Sequence, residues 1–203
     1  EEVLVRIEAS PMNPSDLGLL FGAADLSTAK AGGTPERPVI TATVPEKLMK
    51  GMGGRVDQSM PVGNEAAGVV VKAGSSEAAQ ALLGKTVAIL GGAKVSDKID
   101  VVEALLGKCD VLVIGGAMAN TFLLAEGIGI GKSLAEKDMG DTVDAILAKA
   151  EKASCAIIVP IDGVVAWHFA ENAPHQTYGL DAMDKDGMIL DVGGQSIDRI
   201  KAA

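Results

Sequence analysis

Two lysines, Lys94 and Lys98, stand four residues apart directly after Gly91-Gly92, in the stretch TVAILGGAKVSDK over residues 86–98. Glycines let a backbone approach a ligand closely, the free amides at a helix start attract anions, and a spacing of four places two cations on one helix face. These residue types at this spacing suit a phosphate group. The elements that must position them can be read on either side. Val87, Ala88, Ile89 and Leu90 form an apolar run suited to a buried strand, and Ser96 or Asp97 is expected to cap the helix that follows. The bland alternative is a pair of solvated lysines at a helix start.

The whole chain has room for one large domain or two small ones: 203 residues, 48% hydrophobic and 22% charged. Aromatic residues make up only 2%, so Val, Ile, Leu, Ala and Met must fill the core. The net charge of −9 argues against a nucleic-acid or anionic-membrane partner. The charge is uneven: residues 1–88 carry 8 basic and 10 acidic side chains, and residues 89–203 carry 10 and 17. Cys109 and Cys155 lie in or beside apolar runs without a CxxC pattern, and are expected to be buried thiols of a cytoplasmic protein. No apolar run is long enough for a membrane span, and no signal peptide is apparent. The chain begins at Glu1-Glu2 without Met, which reads as a piece cut from something longer.

In the first part, alternation over residues 3–8 predicts a strand, Ser15-Asp16 a short helix start, and Ala66 to Val71 a second strand. Residues 22–60 show little periodicity and read as a functional insertion or a mobile loop, with Met49, Met52 and Met60 as adaptable packing. The segments VLVRIEASPMNPSD, PVGNEAAGVVVKAG and GKTVA, in that order, resemble the N-terminal chaperonin-10-like domain of medium-chain dehydrogenases and quinone reductases. Where zinc-dependent members of that family carry Gly-His-Glu, this chain has Gly63-Asn64-Glu65, and residues 1–88 contain no His or Cys. A tetrahedral zinc site of the usual ligands is therefore not expected. The resemblance implies the zinc-free, NAD(P)H-dependent type, yet no Gly-x-Gly-x-x-Gly follows a strand later in the chain.

From residue 87 onward strands alternate with helices, the pattern of a parallel sheet with helices on its faces. Strands are expected at 87–90, 111–114, 156–159 and 188–192, four parallel strands in all, with helices from the cap at Ser96 or Asp97 to about 106, at 117–125 and at about 141–152. Ligands of such sheets bind at the carboxyl ends of the strands, here at Gly91-Gly92, Gly115-Gly116, Pro160-Ile161-Asp162 and Asp191-Val192-Gly193. GIGIGKS at 127–133 looks like a phosphate-binding loop, but its first glycine is one residue out of place and it follows a helix, so it reads as a glycine-rich turn. His168 and His175 lack a nucleophile partner, and Asp181, Asp184 and Asp186 lack the pattern of a calcium loop, so no metal site is expected.

VAILGGAKVSDKID, VLVIGGAMANTFL, GIGKSL, IIVPID and MILDVGGQS together resemble the first part of the C-terminal, nucleotide-binding domain of phosphoglycerate kinase, over about residues 87–200. That resemblance implies binding of ATP or ADP with Mg2+. It places Lys94 at the transferring phosphoryl group, Lys98 at the nucleotide phosphates, Gly92, Ala93, Gly115, Gly116 and Ala117 in the walls of the adenine pocket, and Leu190 against the base. It also shows departures: Gly193-Gly194 replaces Gly-Pro, Trp167-His168 replaces a commonly charged pair, and the later motifs, with the aspartate that holds magnesium, do not follow before Ala203. The expected fold is α/β: a partial parallel sheet with flanking helices over 87–203, preceded by a small β-rich chaperonin-10-like domain over 1–86. The leading functional reading is a nucleotide-binding fragment related to an enzyme that moves phosphoryl groups between ATP and 3-phosphoglycerate. Full turnover is not expected of it, and an unpaired sheet edge is expected to favour self-association. The alternatives are a quinone-oxidoreductase fragment, or a non-catalytic fusion joined near residue 86, where both families read as Val-Ala, two apolar residues and Gly-Gly-Ala.

Overall fold

A strand buried on both faces must be apolar at every position, and Val111-Leu112-Val113-Ile114 meets that demand. In a computed structural model, which describes residues 2–11, 14–49 and 65–202, all four of these side chains are buried, in the fourth strand of a five-stranded sheet. The elements in chain order are β1 (Val3–Ala9), α1 (Pro14–Phe21), β2 (Asp25–Thr34), β3 (Arg37–Thr43), α2 (Glu46–Met49), β4 (Ala66–Ala73), α3 (Glu77–Ala81), β5 (Thr86–Leu90), α4 (Ile99–Leu106), β6 (Val111–Ile114), α5 (Gly116–Ala125), α6 (Gly140–Ala153), β7 (Ala156–Ile158), β8 (Asp162–Ala166), β9 (His175–Gly179), β10 (Met188–Val192) and α7 (Gly194–Ala202).

The chain divides into two compact units, residues 1–9 with 65–203, and residues 10–64. In the first, the main sheet has the order β1-β4-β5-β6-β7. β5, β6 and β7 are parallel, while β4 is antiparallel to β5 and β1 antiparallel to β4. The fold is thus the expected α/β type with flanking helices, but three strands rather than four are parallel. Met188–Val192 does not join this sheet; it pairs antiparallel with β8 in a separate sheet of order β10-β8-β9. Its side chains are half-buried or exposed, unlike those of β6, and a strand so lightly covered is not the interior of a parallel sheet. β8 and β9 were not anticipated from the sequence; Asp162 to Ala166 begins directly after Pro160-Ile161, which had marked the end of the preceding strand.

Period-two alternation distributes the core to both faces of the main sheet. Leu112 and Ile114 of β6 join Val102 and Leu106 of α4, Met118 and Phe122 of α5 and Val143 and Ile146 of α6. Val111 and Val113 point the other way, with Val70, Leu82 and Ile158. The helical period of α6 turns Val143, Ile146 and Ala150 into the core, with Leu147 partly buried beside them. That helix ends at Ser154 in the left-handed conformation, its amide donating to the Ala150 and Glu151 carbonyls. Cys109 and Cys155, just before β6 and β7, are buried free thiols with their Sγ atoms 3.7 Å apart, and burial pushes the Cys109 thiol up to about 12.

A polar anchor fixes β8 to α7. Asp162, 2% exposed, accepts from the Gln195 amide at 2.9 Å and the Ser196 amide at 2.7 Å, and from the Ser196 hydroxyl. These are the orphan donors of the α7 N-terminus. Any side chain at Gly193 would strike the Asp162 carboxylate, at 2.2 Å from a Cβ, so glycine is required at the position that the Gly-Pro pattern shares; the departure itself, at Gly194, has no steric reason in its surroundings. Burial alone would raise the Asp162 carboxyl, but the Ser196 hydroxyl and the Ser196 and Gln195 amides outweigh it and hold the group below its ordinary value of 3.8.

The second unit holds α1, the hairpin of β2 and β3, and α2. The hairpin occupies much of the stretch expected to be irregular: Thr34 pairs with Arg37 across a Pro35-Glu36 turn, and Gly32 with Val39. Its Gly, Ala and Thr content hid the strands, because no alternating apolar face is needed where nearly every side chain is exposed. Gly63, Asn64, Met52 and Met60 lie outside the described residues.

Two outcomes follow for stability. Phe122→Ala empties a fully buried position and is expected to destabilise the fold by about 3–5 kcal/mol, read by urea unfolding. The depressed Asp162 carboxyl contributes stability above its unfolded value, lost as pH falls through and below that range. Unfolding free energy measured from roughly pH 5 to pH 2 is expected to fall less steeply in Asp162→Asn than in the parent protein; equal slopes would contradict this.

Candidate functional site

The carboxyl ends of β5 and β6 run into two glycine pairs, and the pairs lie on one another. The Gly115 amide donates to the Leu90 carbonyl at 2.9 Å, extending the parallel ladder by one bond, and the Met118 amide donates to the Gly92 carbonyl at 3.0 Å. Gly116 has φ +65, and a Cβ there would sit 2.9 Å from the Gly92 carbonyl oxygen. Both the left-handed backbone and the close approach require glycine. This contact sets the first turn of α5 beside the turn that carries the lysines.

That turn differs from the expectation. Ser96 and Asp97 do not cap the helix; α4 starts at Ile99 with Lys98 as its N-cap residue and no side-chain cap bond. The physical reason is Glu136, whose carboxylate accepts from the Ser96 amide at 3.0 Å and from the Ser96 hydroxyl. Those two bonds hold the Glu136 carboxyl below its usual range, and the Glu136 amide is fixed in turn on the Thr121 hydroxyl at 3.1 Å. Lys94 therefore precedes the helix rather than sharing a face of it with Lys98. It is exposed, as is Ala93, while Val95 between them is fully buried and pins the turn. Lys98 is mostly buried, with 18% of its side chain exposed. Its ammonium donates to the Gly91 carbonyl at 2.7 Å and to the carboxylate of Glu65.

Next to this turn is a cleft of about 650 Å³, within the range of small-molecule sites. Gly116 and Ala117 of α5 line it, as does Leu190 of β10, so three of the residues expected in the adenine pocket come together. Gly92, Ala93, Lys94, Lys98 and Gly115 do not line it; they belong to the adjoining turns. The cleft adds residues that sequence reasoning missed. Leu134 and Phe169 give it apolar surface at 65% and 86% exposure, and Lys132 and Lys137 give it positive charge. Asn120 also lines it, fixed through its Nδ2, which donates to the Leu134 carbonyl at 3.1 Å. An apolar side chain this exposed is a signal only a structure gives; in the sequence Phe169 and Leu134 look like ordinary core residues.

The GIGIGKS segment is a turn after α5, as its sequence context indicated. The Lys132 amide donates to the Gly187 carbonyl at 2.8 Å, and the Ser133 hydroxyl accepts from the Ile189 amide at 2.8 Å. The segment thus docks on the loop before β10, and the Lys132 ammonium pairs with Asp186 at 3.0 Å. In the acidic loop, Asp184 accepts from the Trp167 indole at 2.9 Å and from the Asp186 amide. His168 and His175 are both exposed, His175 with Nδ1 3.1 Å from the Ala173 carbonyl.

A family model described as phosphoglycerate kinase matches residues 55–203, well over half of the chain. The chain is 65% identical over 117 residues to the phosphoglycerate kinase of Bradyrhizobium diazoefficiens, a stretch that covers 58% of this chain and 29% of that protein. It is 58% identical over 128 residues to that of Rhodopseudomonas palustris, covering 63% and 32%. Among solved structures, the phosphoglycerate kinase of Coxiella burnetii matches with a TM-score of 0.54 at 40% identity, over 56% of this chain and 29% of that one. The chain spans less than a third of the length of these relatives. With its two glycine turns, its lysine-bearing loop and the family match from residue 55 onward, this chain belongs to the phosphoglycerate kinase family.

Proposed function

We propose that the chain binds ADP and ATP, with the base in the cleft between Ala117 and Leu190 and the phosphates at the turn of Gly92, Ala93, Lys94 and Lys98. The observation that carries this reading is the contact of Gly116 with Gly92: one residue lines the cleft while packing on the lysine turn, so an apolar slot and a cationic turn are contiguous. A nucleotide has the same two parts in the same order. Leu134, Phe169 and Leu190 offer the base apolar surface, and Lys98 and Lys94 offer the phosphates charge. Phosphoryl transfer between ATP and 3-phosphoglycerate is the reaction that the family resemblance implies, and in it Lys94 would meet the transferring group. Such transfer depends on positioning and on cations around the moving charge.

Mg2+ would arrive on the phosphates of the nucleotide. Among the described residues no group of three or more His, Cys, Asp and Glu side chains stands ready to hold a metal ion. The described helices include none long and apolar enough to cross a membrane.

We propose for residues 1–86 a reductase-type origin and for 87–203 a kinase-type one, a division by origin that does not follow the compact units, since β1 and β4 share the sheet of β5. Its support is the three ordered motifs and the change of pairing at β5, antiparallel towards β4 and parallel towards β6. The reading concerns origin rather than activity, so NADPH fluorescence is expected to be unchanged by the protein; quenching would favour an oxidoreductase.

The nucleotide reading is tested by calorimetric titration with Mg-ADP. Binding is expected in the millimolar range or tighter, and Lys98→Ala is expected to weaken it by at least about tenfold, as the loss of one charge-assisted phosphate contact. No binding at millimolar nucleotide would overturn it.

A further inference from the structure

We propose that Glu65 sets the phosphate affinity of the Lys98 turn: its buried carboxylate holds the ammonium that a nucleotide phosphate would engage, and the two anions compete for it. The proposal rests on the nucleotide reading above and adds to it a residue outside the stretch that resembles the kinase motifs.

The placement of Glu65 is a consequence of strand register. β4 pairs antiparallel with β5, and Ala66, its first residue, lies opposite Ile89. Glu65 precedes Ala66 by one residue, so the ladder delivers its carboxylate to the carboxyl end of β5, where Gly91 and Gly92 begin the turn. The side chain is 4% exposed and that of Lys98 18%. Of the three donors on the Lys98 ammonium, one goes to the Glu65 carboxylate and one to the Gly91 carbonyl.

An ion pair on an open surface is screened and weak. This one is sheltered, so the charges act on one another through less water, and removing one partner would leave a buried charge uncompensated. A phosphate approaching Lys98 therefore meets an ammonium already neutralised. It must displace Glu65 or share the cation with it, and in the second case two negative groups face each other within the turn. Either way, phosphate affinity is lower than the same turn would have with a neutral acceptor at position 65. Binding of the uncharged base and ribose in the cleft does not involve this pair.

The test is calorimetric titration of the full chain and its Glu65→Gln variant with Mg-ADP and, separately, with adenosine. Glutamine keeps the length and an acceptor oxygen while removing the charge. Tightening of Mg-ADP binding by about tenfold, with adenosine affinity unchanged, is the expected result. Equal Mg-ADP affinity in the two proteins would overturn the role of Glu65 and leave the nucleotide site standing. Tightening of ADP and adenosine alike would also overturn it, because a general change of the cleft and not the charge would be responsible. Absence of Mg-ADP binding in both proteins would overturn the nucleotide reading and this inference with it. Should Glu65→Gln fail to fold, Glu65→Asp, which keeps the charge but withdraws it by one methylene, gives the same decision: tighter Mg-ADP binding than in the parent supports the competition, and unchanged or weaker binding overturns it.

Discussion

The backbone of Gly116 rests directly on that of Gly92, and the geometry of the candidate site depends on this contact. A methyl group on Gly116 would push α5 away from the end of β5, because the nearest atoms are the main chain of Gly92 and cannot rotate aside, whereas one on Gly92 would press on the side chains of Met118 and Lys98. With the contact in place, the Met118 amide reaches the Gly92 carbonyl, Met118 itself is fully buried, and the first turn of α5 is fixed relative to β5 as well as to β6. The wall of the cleft and the turn bearing Lys98 thus share a rigid boundary. Orientation of this kind is what a phosphate-binding turn must supply, since its ligand contacts are few and directional.

β5 is the second constraint. Its residues pair with β6 in parallel and with β4 antiparallel, so both of its edges are occupied. Ala88 and Leu90 face the core formed with α4 and α5, and Val87 packs towards the smaller cluster on the other face. Had β4 and β1 been absent, β5 would present an open ladder of amides and carbonyls. Their addition covers that edge and simultaneously brings an acidic side chain to the end of the strand. A sheet extension and a local change in charge are therefore the same structural event.

Much of this was legible in the residues. The all-apolar β6, the inward faces of α4 and α6, and the glycine pairs followed from periodicity and from the need for close backbone approach. The family motifs lay in those same segments, and Gly116, Ala117 and Leu190 do meet at one cleft. What was not legible depended on contacts distant in sequence. Ser96 resembles a helix cap, but Glu136, forty residues away, engages it. Met188–Val192 has the composition of a parallel strand, but pairs with β8. The Gly-, Ala- and Thr-rich stretch gave no strand signal, although Asp25–Thr34 and Arg37–Thr43 form a hairpin. Lys98 could be read as a cation at a turn; that its counter-charge is Glu65 could not, because the register of β4 on β5 decides it.

Two buried carboxylates illustrate how similar burial can have different consequences. Asp162 is surrounded by neutral donors, the Ser196 hydroxyl and two amides of the α7 start, and the hydroxyl accepts in turn from the Ile161 and Asp162 amides. The arrangement is closed: the desolvation of the charge is answered by groups that were themselves in need of acceptors. Glu65 instead leans on an ammonium at the mouth of a turn that adjoins a cleft. The stabilisation each partner gives the other there must be surrendered, at least in part, before either can serve a ligand. A protein that uses a lysine for binding gains from leaving it under-compensated in the free state. At Lys98 the chain does the opposite: Glu65 and the Gly91 carbonyl compensate the ammonium where β5 ends.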